Sequence, residues 1–378
     1  MAHLNNAGAA LPPSAVTEAV IAHLRLEAEI GGYEAADAAH DQVEAVYAAL
    51  ARLLGCQPDE IAVVENATRG WDMAFYSLGF KPGDRILTAR AEYSSNVIAY
   101  LQVARRTGAV VEVVEDDEHG QLSVADLKDR LGRGPGAVKL IAMTHVPTNG
   151  GLVNPAEEVG AAAREAGVPF LLDACQSAGQ LPLDVQRIGC DMLAGTGRKF
   201  LRGPRGTGFL YVRREMLDKL EPPFLDLHAA TWTGPGSFEI RGDARRFENW
   251  ETNYAGKVGL GTAVEYALSW GLDAIEARVT ALADGLRERL LTVDGVQVRD
   301  RGLRRCGIVT FTVDGVPSAD VQRHLAANSV NTSVSRASDA QFDLVRRGLP
   351  DLVRASVHYY NTDAELDRLA AALPAPRA

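Results

Sequence analysis

Seven short apolar runs rich in β-branched residues recur between residues 61 and 212, and most are separated by segments with helical periodicity. Strands that are apolar along their whole length are typical of a mostly parallel sheet covered by helices on both faces. The sequence therefore predicts an α/β fold built on a mostly parallel, seven-stranded sheet. The runs are "IAVVE" (61–65), "RILTA" (85–89), "VVEVVE" (110–115), "VKLIAMTH" (138–145), "FLLDAC" (170–175), "DMLAG" (191–195) and "GFLYV" (208–212).

The segments on either side of these runs predict the domain organisation. An extended arm is expected over 1–15, before helical patterns at about 14–28 and 40–54. A large domain is expected over 16–257. The remainder, 258–378, begins with a long helical stretch broken at Gly271. It continues with short strands and helices in the order typical of a small α+β domain.

Charge and cysteine content exclude several classes of function. The net charge of −10 argues against nucleic acid or an anionic membrane as a partner. No apolar run reaches the ~20 residues that cross a bilayer, and the first residues lack a signal-peptide pattern, so a cytoplasmic location is expected. The four cysteines form no Cys-x-x-Cys pair, so neither a disulfide framework nor a metal site is predicted. A local cluster of basic residues indicates a small anionic ligand: Arg198, Lys199, Arg202 and Arg205.

Polar residues follow several of the predicted strands, at the edge where ligands bind in open α/β sheets. Asp173 ends one strand and His145 another. Residues 68–70 stand at a helix N-terminus, which favours a phosphate, and Tyr93 begins a further helix. Together with Lys199 they offer a phosphate cradle, a buried carboxylate, an aromatic ring and an amine. A pyridine cofactor with an aldehyde and a phosphate tail uses all four groups.

Each of these residues also has an ordinary structural interpretation. Asp173 alone is as consistent with a helix cap, Tyr93 with core packing and His145 with a structural histidine. The "GPRGTG" stretch resembles a dinucleotide loop, but it precedes a strand instead of following one. A non-enzymatic phosphate or nucleotide binder is a further alternative. Lys199 argues against it, because a phosphate clamp would accept arginine there.

Seven motifs along the chain give it a resemblance to the class V aminotransferase family of pyridoxal-phosphate enzymes. This group includes cysteine desulfurases, isopenicillin N epimerase and the C–S lyase of ergothioneine synthesis. The resemblance implies fold type I, pyridoxal 5'-phosphate as cofactor, an amino-acid substrate and a homodimer with active sites at the interface. The motifs are "ENATRG", "AEYSSN", "THVPTNGG", "DACQSAG", "GTGRKFLRGPRGTGFLYV", "NWETNYAGKVGLGTAVEY" and "VRASVHYYNTDAELDRL".

The resemblance also implies roles for individual residues. Lys199 matches the lysine that forms the Schiff base, Asp173 the partner of the pyridine nitrogen, and Gln176 the residue that bonds the phenolate oxygen. Tyr93 stands where many relatives stack a histidine on the ring, and Arg354 matches the arginine that grips the substrate α-carboxylate. The phosphate contacts are expected from Thr68, Arg69, Thr196 and Arg198, with Arg198 in place of the usual histidine, and from Thr252 of the other subunit. Substrate contacts are expected from Thr148, Asn149, His228, Arg336 and the arm around Asn5 and Gly32.

The cysteines bear on the type of reaction. Cysteine desulfurases carry a nucleophilic cysteine on a loop upstream of the "RAS" arginine, and here that region, "VNTSVSRASDAQFDLVRRGLPDLVRAS", has none. Cys306 lies on a predicted strand, and Cys175 and Cys190 are expected to be buried packing, so persulfide chemistry on the protein is not predicted. β-Elimination, transamination and epimerisation need only the lysine as base. The segment "EAEIGGYEAADAA" is similar to the ergothioneine-pathway lyases and favours a C–S lyase acting on an S-substituted cysteine.

Overall fold

The computed structural model describes residues 1–134 and 136–377. None of the helices in these residues combines the length and the apolar character needed to span a bilayer. The helices are α1 (Ser14–Ile30), α2 (Gly32–Ala38), α3 (His40–Leu54), α4 (Ala67–Tyr76), α5 (Ser94–Thr107), α6 (Val124–Gly132), α7 (Ala156–Ala166), α8 (Val185–Ile188), α9 (Arg214–Leu217), α10 (Tyr254–Trp270), α11 (Leu272–Leu291), α12 (Ser318–Ala327) and α13 (Asp363–Ala371).

The strands form one large sheet and three smaller ones. In chain order they are β1 (Ala2–His3), β2 (Ile61–Val64), β3 (Arg85–Thr88), β4 (Val110–Val113), β5 (Val138–Thr144), β6 (Phe170–Asp173), β7 (Met192–Thr196), β8 (Gly208–Val212), β9 (Ala230–Gly234), β10 (Ser237–Ile240), β11 (Val296–Val298), β12 (Ile308–Val313), β13 (Val330–Asn331), β14 (Ser333–Ser335) and β15 (Leu352–Ser356).

The large sheet has seven strands in the order β2-β8-β7-β6-β5-β3-β4. Strand β8 is antiparallel to both of its neighbours, and the remaining pairs are parallel. All seven apolar runs of the sequence are strands of this sheet. The prediction of an α/β fold with a mostly parallel seven-stranded sheet is therefore confirmed.

Helices cover both faces of the large sheet, and the alternation of side chains along each strand supplies a core to each face. Phe170 and Leu172 of β6 belong to the core that includes α3 and α7. Leu171, between them, belongs to the core that includes α4 and α5. Burial on both faces explains why these strands are continuously apolar.

The C-terminal part contains a four-stranded antiparallel sheet in the order β11-β12-β15-β14. Gly271, at a φ of +80°, separates α10 from α11, as the sequence predicts. Helix α10 packs against α1 and α3, whereas α11 packs against α13 and the small sheet. The expected domain boundary at 257 lies inside α10.

Two features have no counterpart among the sequence-based predictions. Strand β1 of the N-terminal arm pairs in parallel with β13 of the small domain. Strands β9 and β10 form a hairpin whose Trp232 and Phe238 are 72% and 56% exposed. Both escape a search for buried periodicity, because β1 is only two residues long and the hairpin buries little of its surface.

Candidate active site

The site lies where the carboxyl ends of β6 and β7 meet the N-termini of α4 and α5. Asp173 is the last residue of β6 and Thr196 the last residue of β7, so parallel pairing brings both to one edge of the sheet. Two adjoining cavities open at this edge. The first is lined by Asn66, Ala67, Thr68, Trp71, Tyr93, Asn96, Asp173, Cys175, Thr196, Arg198 and Lys199. The second shares Tyr93, Asp173, Cys175 and Lys199 with the first and is also lined by Thr144, Val146, Thr148 and Gln176.

Lys199 occupies a tight loop that follows β7. Gly203 donates its N–H to the carbonyl oxygen of Gly197 at 2.7 Å, which folds the loop back on itself. A Cβ atom at Gly197 would clash with Thr207 Oγ1 and lie 2.9 Å from Leu260 Cδ1, so a larger residue there would require both side chains to move. The Lys199 side chain is buried, and its Nζ atom donates to Cys175 Sγ at 3.3 Å. The loop therefore presents a buried primary amine to both cavities.

Asp173 is a buried carboxylate held by hydrogen bonds on both oxygens. Oδ1 accepts from the N–H of Cys175 at 2.8 Å, and Oδ2 accepts from Asn96 Nδ2 at 3.0 Å. Burial raises the pKa of Asp173, while these two hydrogen bonds and the positive charge of Lys199 act in the opposite direction. A carboxylate buried at the end of a strand calls for a cationic or proton-donating partner in the cavity.

One end of the first cavity is suited to an anion. Thr68 lies in the first turn of α4, where the helix dipole and free N–H groups favour negative charge. Thr196 and Arg198 line the same cavity. The Arg198 guanidinium also donates to the carbonyl oxygen of Gly8, so the N-terminal arm holds this arginine in place.

Arg354, on β15 of the small domain, is not in the lining of either cavity but is bonded to Thr148, which lines the second one. Its Nη1 atom donates to the main-chain oxygen of Thr148 at 3.0 Å and to Thr148 Oγ1 at 2.7 Å. Burial and the nearby charge of Arg198 lower the pKa of Arg354 to about 10. Gln176 Nε2 donates to the same Thr148 hydroxyl at 2.8 Å and to the oxygen of Ala7 at 3.1 Å. The Thr148 hydroxyl thus joins Arg354 to Gln176.

Several residues named by the sequence analysis lie elsewhere. The Arg69 side chain points away from the cavity, and its guanidinium carbon lies 5.0 Å from the centre of the Phe224 ring. The main-chain N–H of Arg69 donates to Oδ1 of Asn66, the residue that caps α4. His145 is buried after β5 and outside the lining of both cavities. Asn149 is half-buried beside Thr148 but lines neither cavity.

The other expected substrate and phosphate contacts are also separate from this chain's own cavities. Thr252 and Gly32 line a different cleft, beside Trp250. His228 Nε2 lies 3.3 Å from Glu248 Oε2, in a buried polar cluster. Arg336 is exposed, and Asn5 forms a parallel β-bridge with Ser356 of β15.

Three residues of the site were missed by sequence reasoning. Cys175 lines both cavities, so the expectation that it is buried packing is wrong, whereas Cys190 does lie in the core. Asn96 lies three residues after Tyr93 on the first turn of α5 and faces the same cavity, a spacing from which it could have been found. In the same way, Trp71 lies three residues after Thr68 on α4 and lines the same cavity, so this spacing could also have indicated it.

Comparison with known proteins shows which family this chain matches. The family model described as aminotransferase class-V matches residues 2–369. A "probable cysteine desulfurase" from Xylella fastidiosa (strain Temecula1) is 32% identical, over 98% of this chain and 89% of the relative. A "probable cysteine desulfurase 2" from Mycobacterium leprae is 33% identical, over 90% of this chain and 82% of the relative.

The fold of this chain is similar to that of several solved structures. The apo structure of cysteine desulfurase from Thermococcus onnurineus NA1 superposes with a TM-score of 0.88 at 28% identity, covering 98% of this chain and 93% of that one. The complex between the cystine C–S lyase C-DES and its reaction product, cysteine persulfide, gives a TM-score of 0.87 at 25% identity, covering 98% and 96% of the two chains.

Proposed function

The chain belongs to the class V aminotransferase family of pyridoxal-phosphate enzymes, and from this premise we propose that it is a C–S lyase acting on S-substituted cysteines. The reaction consumes one water molecule, breaks the Cβ–S bond and yields pyruvate, ammonia and a thiol. The observation that carries the proposal is the meeting of Lys199 and Asp173 in one cavity next to Arg354. A base, a carboxylate and a guanidinium are the groups that the proposed reaction of an α-amino acid needs.

The residues present fit pyridoxal 5'-phosphate. The N-terminus of α4 with Thr68, Thr196 and Arg198 forms an anion site for its phosphate. Asp173 is a buried carboxylate that a protonated pyridine nitrogen would pair with. Gln176 Oε1 is buried without a hydrogen-bond partner among the described residues, which indicates a polar group missing beside it.

Pyridoxal phosphate, when bound, supplies an aldehyde that links to amines and a ring that withdraws electrons from the substrate α-carbon. Lys199 Nζ removes the α-proton as the general base. Arg354 binds the α-carboxylate, for which its Nε atom is free, having no hydrogen-bond partner among the described residues. Asp173 would hold the proton on the pyridine nitrogen, and Tyr93, at the N-terminus of α5, would lie against the ring.

The positions of three of the four cysteines favour elimination over transfer of sulfur to the protein. Cys190 and Cys306 are buried in apolar clusters, and Cys56 packs at the edge of a core. Residues 330–353, directly upstream of Arg354, contain no cysteine. In the proposed reaction the sulfur leaving group departs as a thiol, and the residual three-carbon unit is released as pyruvate.

A second candidate function is cysteine desulfuration with Cys175 as sulfur acceptor. Two observations favour it: the Cys175 thiol lies in the cavity 3.3 Å from Lys199 Nζ, and curated relatives are named probable cysteine desulfurases. In that reaction the Cys175 sulfur attacks the substrate sulfur, the Cβ–S bond breaks, and the products are alanine and a Cys175 persulfide. Burial raises the pKa of the Cys175 thiol, which disfavours the thiolate that this attack requires.

The proposed active assembly is a homodimer. Thr252 and His228 lie outside the two cavities of the candidate site, and we propose that they serve the site of the other subunit. Trp232 and Trp250, which are close to these residues in the sequence, are 72% and 56% exposed. Large exposed aromatic side chains of this kind are typical of an interface.

The test is a product analysis on protein loaded with pyridoxal phosphate. The substrates are cystine, S-alkyl cysteines, cysteine and common amino acids, and the readouts are pyruvate, ammonia, alanine, protein persulfide and cofactor absorbance. Wild type is compared with Lys199→Ala and Cys175→Ala. Pyruvate from the sulfur substrates that survives in Cys175→Ala supports the lyase. Alanine and persulfide from cysteine, both lost in Cys175→Ala, establish the desulfurase instead.

Two further outcomes decide the remaining alternatives. Conversion of the cofactor to its amine form without pyruvate identifies an aminotransferase. Change of configuration at Cα without cleavage identifies an epimerase. Protein that stays colourless with pyridoxal phosphate contradicts the proposed function altogether.

A further inference from the structure

A second buried carboxyl group, that of Glu92, lies behind Asp173. Glu92 directly precedes Tyr93 and is 5% exposed. Its oxygens accept hydrogen bonds from Thr88 Oγ1 at 2.9 Å, from the N–H of Tyr93 at 2.8 Å, and from both the N–H and the hydroxyl of Thr144. The two N–H groups can only donate and the two hydroxyls are able to donate, so the carboxyl group is fully satisfied when it is ionised. No ion pair among the described residues involves Glu92.

The Asn96 side chain connects this carboxyl group to the active site. Its Nδ2 atom donates to Glu92 Oε1 at 3.0 Å and to Asp173 Oδ2 at 3.0 Å. Asn96 lies four residues after Glu92, so the first turn of α5 brings the two side chains together. One amide nitrogen, with two hydrogens, thus holds two buried carboxylates at a set spacing. The other Asp173 oxygen is held by the main chain at Cys175.

The surroundings make the negative charge of Glu92 matter at Asp173. Burial raises the pKa of Glu92 to about 7, with the charge of Asp173 acting in the same direction and the hydrogen bonds opposing it. Tyr100 of α5 also faces Glu92, and burial raises the pKa of its phenol well above the ordinary value. Lys199 stands on the far side of Asp173. In this poorly solvated region, charges act on each other strongly.

We propose that Glu92, acting through the Asn96 amide, is a positioning residue that orients the Asp173 carboxylate and places a second negative charge behind it. The inference rests on the proposed binding of pyridoxal phosphate. Its consequence is that the Glu92 charge favours protonation of groups on the bound cofactor, because a nearby negative charge stabilises a positive one. Glu92 itself lines neither cavity and touches no reacting atom.

The experiment measures the pH midpoint of the absorbance change of the bound cofactor, together with the dissociation constant for pyridoxal phosphate. Glu92→Gln keeps the size of the side chain and removes its charge. We expect the midpoint to move to lower pH by roughly 0.5–1 unit and the dissociation constant to rise several-fold. Asn96→Ala breaks the same link. The double variant is expected to shift the midpoint no further than the single variants do, because both act through one contact.

The matched control is Glu60→Gln, a buried glutamate bonded to the N–H groups of Gln57 at 2.9 Å and Arg214 at 3.0 Å, at the start of β2. Its midpoint is expected to equal that of wild type. A folded Glu92→Gln protein with an unshifted midpoint overturns the inference. If Glu92→Gln does not fold, an unshifted midpoint in Asn96→Ala overturns it. Failure of the wild type to bind pyridoxal phosphate contradicts the proposed function instead, so the two failures are distinguishable.

Discussion

Arg354 donates two hydrogen bonds through one nitrogen, Nη1, to the main-chain oxygen and the hydroxyl of Thr148. This contact joins β15 of the small domain to the loop that follows β5 of the large domain. It uses one edge of the guanidinium and leaves Nε without a partner among the described residues. The free edge matches the two oxygens of a carboxylate.

Thr148→Val tests whether this contact positions Arg354. The variant keeps the shape of the side chain and removes the hydroxyl, so the guanidinium loses one of its two anchors. We expect KM for the amino-acid substrate to rise roughly tenfold, as loss of a hydrogen bond to a charged group implies, with a smaller change in kcat. Thr148→Ser restores the hydroxyl and is expected to restore KM. Equal losses in kcat and kcat/KM with an unchanged KM would instead assign Thr148 to the chemical step.

Lys199→Ala is expected to lower kcat by at least about 10²–10⁴-fold, because it removes the proposed general base. Lys199→Arg keeps the positive charge but is expected to be equally inactive, since a guanidinium neither accepts a proton at neutral pH nor links to an aldehyde. Lys219→Ala, at an exposed position, is the control. Steady-state kinetics with the sulfur substrates measure the effect. Residual activity of Lys199→Arg near the wild-type level would assign the lysine a purely electrostatic role.

Asn6→Ala tests the role of the N-terminal arm. Asn6 is fully buried and donates to the oxygen of Ser356 at 2.7 Å, while the next two residues of the arm accept hydrogen bonds from Gln176 and Arg198. We expect the free energy of unfolding to fall by about 2 kcal/mol and bound pyridoxal phosphate to dissociate faster.

Denaturant unfolding and dialysis against cofactor-free buffer measure these two effects of Asn6→Ala. The exposed Asn328→Ala, which loses one local bond to the oxygen of His324, is the control. An Asn6→Ala protein that is destabilised but retains the cofactor as firmly as wild type would show that the arm has no part in the site.

Because His358 is buried in its neutral form, we expect the free energy of unfolding to fall in acid. The histidine is fully buried, and its Nδ1 atom accepts from the N–H of Tyr359 at 3.0 Å, so it is held in the neutral form. Burial lowers its pKa from 6.5 to about 3. Between these values the unfolded chain binds the proton and the folded chain does not. The stabilisation is therefore complete above about pH 6.5 and decreases as the pH falls, by about 1.4 kcal/mol per pH unit.

His358→Phe removes this titration and keeps the stacking on Phe200. At neutral pH the variant is expected to be less stable by about 1–3 kcal/mol, because the hydrogen bonds to Phe200 and Tyr359 are lost. Between roughly pH 6 and pH 4 its stability is expected to fall less steeply than that of wild type. Unfolding measured across that range checks the slope, and parallel slopes for the two proteins would contradict the assignment.

The amino-acid sequence by itself determined the fold class and the centre of the site. The seven buried strands are continuously apolar because both of their faces pack against helices, and that pattern is visible before folding. Asp173 and the loop of Lys199 follow neighbouring parallel strands, and the carboxyl ends of such strands meet at one edge. Their proximity was therefore predictable, as were the helix N-terminus at Thr68 and the break at Gly271.

Only the tertiary structure decided the contacts that depend on how separate elements dock. The pairing of Arg354 with Thr148, the attachment of the N-terminal arm to the small domain and the bond from Asn96 to Asp173 join segments that carry no common periodicity. The position of Cys175 is of the same kind: its neighbours along the chain are buried, and only the fold of the Lys199 loop opens a cavity beside it. Periodicity reports which face of an element is buried, whereas these contacts depend on which other element covers that face.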